Sequence, residues 1–146
     1  MTLAQIIAFA ISLCGSQTGT ERYARAILAT DASAEEQRAL VVLAHRENWF
    51  HETSYPPFGL TYLVMHDRRF CTRRDRADAT VRPGCVVLTI DDAAVRSLHA
   101  LRFIRARYCV GHRWEDVLGV YHHGIGRGCI SDPLAISEAR AMGRAP

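Results

Sequence analysis

The sequence predicts an all-α, predominantly helical fold organised as one domain over residues 1–146. Apolar residues recur at helical spacing in three stretches, Leu40–Ala44, Val95–Ile104 and Trp114–Tyr121. Start signals stand ahead of two of them, Ser33 with Glu36 and Thr89 with Asp92, where a hydroxyl can accept from an otherwise unpaired backbone N–H. A chain of 146 residues, 49% of them hydrophobic, is long enough to bury a core and suits one domain. Only the stretch Gly59–Met65, short and apolar, leaves helix and strand open, so a small irregular or β segment there fits equally well.

Leu3 to Cys14 is an apolar run, shorter than the ~20 residues that a membrane-spanning helix needs. Two readings stay open for it. It can be the apolar stretch of an export signal, although the first positive charge is Arg22 and Leu13 is bulky for a lipoprotein site at Cys14; or it can be the first core helix. Gly15 to Gly19 reads as a loop, with Thr20 capping a short helix through Thr30. Ser33 and Glu36 then open a largely buried helix that runs into His45-Arg46-Glu47. Ser54, the Tyr55-Pro56-Pro57 run and Gly59 mark the loop that follows.

From His66 to Gly84 the chain is polar and arginine-rich, without usable periodicity. Thr89 begins a helix to about Tyr108, with Val95, Leu98, Leu101, Phe103 and Ile104 as its apolar side and arginines 96, 102, 105 and 107 outside. Gly111 ends it. Trp114, Val117, Leu118 and Tyr121 share one face of a short helix, His122 to Gly126 reads as a turn, and Asp132-Pro133 opens a last helix. Neither a repeat nor an internal linker interrupts the chain.

The net charge is +3, and all 18 lysine-or-arginine positions are arginine. A mildly basic surface favours an acidic partner such as peptidoglycan, nucleic acid or anionic lipid. Five cysteines are many for a reduced compartment. The simplest pairing joins Cys71 to Cys85 and Cys109 to Cys129, leaving Cys14; five free buried thiols are the alternative. Closing a loop of about 15 residues would contribute ~3 kcal/mol in the chain-entropy picture.

Glu47 is the candidate catalytic acid. A carboxylate at the end of an apolar helix meets the partial negative charge of the helix C-terminus. Apolar neighbours at Trp49, Phe50 and Phe58 would add to the penalty on the ionised form. A carboxylic acid kept protonated can deliver its proton to a glycosidic oxygen. The plainer reading is a solvent-facing glutamate paired with Arg46 or another arginine.

Residues 40–62 add a resemblance. Ala44-His45-Arg46-Glu47-Asn48-Trp49-Phe50, then Ser54, then Gly59-Leu60-Thr61-Tyr62, looks like the catalytic segment of the lysozyme-like superfamily, especially goose-type lysozymes and lytic transglycosylases. A second block, Trp114 to Tyr121-His122-His123-Gly124 followed by Gly126-Arg127-Gly128, is similar to that family's later signature. The resemblance implies a lysozyme-like helical domain that cuts peptidoglycan glycan strands between MurNAc and GlcNAc, with no cofactor. Glu47 would be the general acid and then base, and Gly59 and Leu60 would bring backbone close to the sugar. Ser54, Tyr62, Tyr121 and His122 would line the substrate cleft. In the transglycosylase variant the muramic acid's own C6 hydroxyl attacks, so no second carboxylate is needed; Glu52 and Asp67 are the candidates if water attacks instead. Two positions depart from the family pattern: its glutamine falls on Tyr62 and its asparagine on His122, which changes the hydrogen-bond geometry offered to N-acetyl groups. The implied setting is periplasmic, extracellular or phage-associated, with no stable membrane span.

Three other readings compete. Cys109-Val110-Gly111-His112, with His122, His123 and Cys129, has ligand types for a structural zinc site, although close paired spacing occurs only once. Arg68, Arg69, Arg73, Arg74, Arg76 and Arg82 near Phe70 suggest a phosphate-binding stretch, but Asp67, Asp75 and Asp78 interrupt it, so a nucleic-acid partner is not expected. The third is a lysozyme-like domain without catalysis, serving as a peptidoglycan-binding or assembly module.

Overall fold

The computed structural model describes residues 1–54, 56–60 and 87–130, and these are helical with no strand among them. The expectations for Tyr62, Asp67, the Cys71–Cys85 pairing, the arginine-rich stretch and the helix from Asp132 lie outside the described residues. Helix α1 covers Leu3–Cys14, α2 Thr20–Leu28, α3 Ala34–Asn48, α4 Ile90–Arg107 and α5 Trp114–His123. Single 3-10 turns occupy Pro57–Gly59 and Ile125–Arg127.

Helix α3 is the centre of the packing, touching α1, α2, α4, α5 and the Pro57–Gly59 turn. Residues Ala39 to Ala44 form an unbroken run in which none is more than 1% exposed. A helix buried on every side needs apolar residues all round, as that run supplies, rather than a single stripe. Each fully buried Leu or Val there contributes ~1.5–3 kcal/mol through removal of apolar surface from water.

Helix α1 lies against α2 and α3 as a core element, with Ile6 and Phe9 buried. Thr2 starts it with a capping box: its hydroxyl accepts from Gln5 N at 3.3 Å, and its own N–H donates to Gln5 Oε1 at 2.8 Å. Among the described residues no helix is long and apolar enough to cross a membrane. The start of α2 differs from expectation. Thr20 is its first residue, Gly19 holds the cap position, and the Thr20 hydroxyl turns back to accept from Gln17 N at 3.0 Å. A glycine is needed at that cap because a side chain there would run into the Phe50 carbonyl and Glu52.

Ser33 and Glu36 form the anticipated capping box, and Thr89 caps α4 by accepting from Asp92 N at 3.1 Å. The buried positions of α4 are Ile90, Ala93, Ala94, Ser97, Leu98 and Leu101. Val95 and Phe103, expected on that face, stand 42% and 60% exposed. The physical reason is the 100° step of the helix: Phe103 lies 200° round from Leu101, whereas Leu98 and Leu101 share the core direction and Ile104, partly buried, packs against the core. Helix α4 stops at Arg107, so Gly111 belongs to the link before α5, and α5 continues two residues past Tyr121 to include His122 and His123.

Cys109 and Cys129 are joined by a disulfide that spans 20 residues and ties the end of α4 to the segment after α5, while Cys14 is free. Cross-linking a loop of that length restricts the unfolded chain by ~3 kcal/mol. Sulfurs in a disulfide are not thiolate ligands, and His112 turns to Asp116 at 3.3 Å, so the zinc arrangement does not form among these residues.

Arg102 is not the solvated arginine that its position suggested. Its guanidinium donates from Nε and Nη2 to the two Glu36 oxygens at 2.8 and 3.0 Å, and from Nη1 to Asp31 at 3.0 Å. Glu36 also accepts from Ser33 N, so one carboxylate caps α3 and clamps it to α4. The Arg102 hydrogen bonds hold the Glu36 carboxyl far below the ordinary carboxylate range, at about 2. A depressed carboxyl contributes stability above its unfolded pKa and loses it as pH falls through the folded value. Arg102 is more than a third exposed, so screening limits the contribution to about 1 kcal/mol. Urea unfolding of Glu36→Gln should therefore show a loss of about that size at about pH 7, with the gap to wild type narrowing toward about pH 2. A gap that stays constant over that range would mean that the clamp is not the source.

Candidate functional site

Glu47 is the penultimate residue of α3, and the chain leaves the helix through three non-glycine residues in left-handed conformations, Trp49 (φ 50°), Phe50 (φ 53°) and Phe58 (φ 56°). Each such backbone costs of order 1–3 kcal/mol and persists only where the surroundings hold it. Here the surroundings are visible. Phe50 and Phe58 are buried and pack on the Tyr23 ring, with centroids at 5.8 and 5.1 Å. Asn48, 6% exposed, donates from Nδ2 to Ser54 Oγ at 3.0 Å and to the Pro56 carbonyl at 3.2 Å. The loop is thus pinned to the helix end and folds back along it.

That return brings Gly59 against Glu47. A methyl group on Gly59 would stand 2.5 Å from Glu47 Oε2 and 2.8 Å from its carboxyl carbon, and the residue sits at φ +65°. Glycine alone satisfies both demands, the left-handed backbone and the contact with the carboxylate. Leu60, the next residue, is 3% exposed and its side chain belongs to the core.

Helix α5 supplies the other wall. His122 Nδ1 lies 3.4 Å from Glu47 Oε1, although the two residues are 75 apart in the chain. The Tyr121 hydroxyl donates to the Phe58 carbonyl at 3.1 Å and so fixes the strained turn that carries Gly59. The Tyr121 phenol is pushed well above its ordinary pKa, first by burial and also by the negative charge of Glu47, with the Ser97 hydroxyl acting in the opposite sense. Ser97 is fully buried on α4, so four elements converge on this point.

The expected site residues therefore divide. Glu47, Gly59, Tyr121 and His122 come together. Ser54 holds the loop through Asn48, and Tyr62 lies outside the described residues. Of the aromatic residues expected beside Glu47, Phe50 and Phe58 pack on Tyr23, and Trp49, 54% exposed, lies against His45 with ring centroids 5.1 Å apart. Glu52 is exposed, with its side-chain stem against Gly19 at the start of α2. Ser97 and the Phe58 carbonyl were not anticipated. The signal for Ser97 was present, a hydroxyl in phase with Ile90, Ala94, Leu98 and Leu101 on a buried stripe.

A shallow depression of about 280 Å³ bounded by Glu36, Arg102, Arg105, Val110 and Trp114 shares none of these residues. Its cations are already engaged, Arg102 with Glu36 and Asp31 and Arg105 over the Trp114 ring at 4.4 Å. No protein-family model, curated protein or solved structure matches the chain.

Two glycine substitutions separate backbone strain from contact with the carboxylate. Gly59→Ala and Gly124→Ala both place a side chain at positive φ, +65° and +77°, but only the first meets another group. Each should lose ~1–3 kcal/mol of thermal stability from the backbone alone. Crystal structures of the two variants should show the Glu47 carboxylate displaced from His122 in Gly59→Ala and unmoved in Gly124→Ala. An unmoved Glu47 in both would contradict the contact.

Proposed function

We propose that this protein cleaves peptidoglycan glycan strands between MurNAc and GlcNAc, with Glu47 as the single general acid and base, in the manner of a lytic transglycosylase. The observation that carries the reading is the seating of the Glu47 carboxylate between the Gly59 backbone and the His122 imidazole. These are the residues of two separate sequence blocks that the resemblance to goose-type lysozymes and lytic transglycosylases singles out. Glu47 is 22% exposed, reachable by a sugar yet held on two sides, as a proton donor to a glycosidic oxygen requires.

In this reaction Glu47 gives its proton to the leaving glycosidic oxygen as the bond to the anomeric carbon breaks. The C6 hydroxyl of the muramic acid closes onto that carbon, so a partner carboxylate is not required. The Gly59 backbone leaves room beside the carboxyl group that any side chain would fill. Tyr121 acts by holding the Phe58 carbonyl and hence the turn. The place of action that follows from the substrate is the cell wall, reached from the periplasm, from outside the cell or with a phage particle.

The test is digestion of purified sacculi. Wild type should release muropeptides with anhydro ends, seen by mass spectrometry, and Glu47→Gln should reduce release ~100-fold or more while still sedimenting with the sacculi. Reducing ends would assign a lysozyme outcome instead. Wild-type protein that binds sacculi and releases nothing across pH would leave a wall-binding module in place of an enzyme.

A further inference from the structure

His122 approaches Glu47 through Nδ1, and its side chain is 47% exposed. The two nitrogens of a neutral imidazole are not equivalent: one carries the proton and donates, and the other keeps a lone pair and accepts. Oε1 of Glu47 can accept from Nδ1–H in either protonation state of the carboxyl group, and in that tautomer Nε2 is left as a hydrogen-bond acceptor on the far side of the ring. The asparagine that the resembling families carry at this place has no basic nitrogen. Among the described residues the groups that meet the ring are Glu47 from α3 and, from its own helix, His123, whose ring stands edge-on at 4.9 Å. Tyr121 is already committed to the Phe58 carbonyl and leaves the proton-accepting position to the imidazole.

We propose that His122 is a second catalytic group, which accepts at Nε2 the proton of the hydroxyl that attacks the anomeric carbon. The proposal rests on the glycan-cleavage reading above. In the step, the glycosidic C–O bond breaks with its electron pair on the leaving oxygen, which takes the proton of the Glu47 carboxyl group. The attacking oxygen bonds to the anomeric carbon and passes its proton to Nε2. The protein is left with a Glu47 carboxylate and a His122 imidazolium in contact, with no net change in its charge. Release of the Nε2 proton to solvent water and uptake of a proton from water by Glu47 then restore a carboxylic acid and a neutral imidazole protonated at Nδ1 alone. Imidazole is the side chain that most readily takes and returns a proton near neutral pH. The 3.4 Å contact holds the imidazolium beside the carboxylate, and contacts of this kind tighten when substrate binds and charge develops. His122 here takes over the base role that the single-glutamate reading gives to Glu47. Dividing the two transfers lets the acid and base halves of the reaction proceed together, where a lone glutamate must give its proton before it can accept another.

The decisive variant is His122→Asn, which restores the residue of the resembling families and removes Nε2. On purified sacculi its turnover should fall ~100-fold or more, with KM and thermal midpoint unchanged. Wild-type turnover in His122→Asn would overturn the proposal and leave the Glu47 mechanism standing. Silence of both wild type and Glu47→Gln would instead overturn the glycan-cleavage reading, and this step with it. Independently of any activity, nitrogen-15 shifts of the His122 ring in wild-type protein should report a proton on Nδ1 and a bare Nε2. A ring protonated at Nε2 with Nδ1 bare would contradict the proposal whatever the sacculi show.

Discussion

Everything described depends on the burial of α3. Ala39 to Ala44 are enclosed on all sides by α1, α2, α4 and α5, so the helix cannot rotate or slide without exposing apolar surface. Its last turn is therefore delivered to one place, and Glu47 with it. The Glu36–Arg102 clamp fixes the opposite end of the same helix to α4. A carboxylate at the end of an otherwise immobile rod is well placed for chemistry that tolerates little misplacement.

The chain after α3 makes the complementary sacrifice. Left-handed backbones at Trp49, Phe50 and Phe58 are unfavourable for bulky residues, yet they turn two phenyl rings into the core beside Tyr23 and direct the backbone of Gly59 onto Glu47. Burial of Phe50 and Phe58 offsets the local strain, at ~1.5–3 kcal/mol for each ring. The Tyr121–Phe58 hydrogen bond ties this turn to α5. The turn thus has little freedom to drift from the carboxylate, and His122 arrives on the same helix that supplies the tie.

Much of the fold was legible because its signals are local. The Ser33–Glu36 box, the Thr89 cap and the apolar runs each involve residues within a turn or two of one another. What escaped was non-local or a matter of phase. Arg102 reads as a surface residue until a carboxylate 66 positions away is brought to it. Phe103 looks like a core residue until its direction is counted round the helix. Of the site, Glu47 stood out from its own neighbourhood, while the packing of Phe50 and Phe58 on Tyr23, a residue more than twenty positions earlier, could not be read from it. The meeting of Glu47 with His122 was suggested only by resemblance to a family, since no local pattern links residues 75 apart. Ser97 was readable in principle, as a hydroxyl on a buried stripe, but what it meets depends on where α5 packs.

A crystal structure of Glu47→Gln with a short alternating MurNAc–GlcNAc strand decides whether the Glu47 carboxyl group, the Gly59 backbone and the His122 ring form one glycan-cleaving site. A glycosidic oxygen should lie about 3 Å from the side chain of residue 47, with the attacking hydroxyl turned toward His122 Nε2. A strand bound with every glycosidic oxygen out of reach of that side chain, or bound elsewhere on the surface, would contradict it.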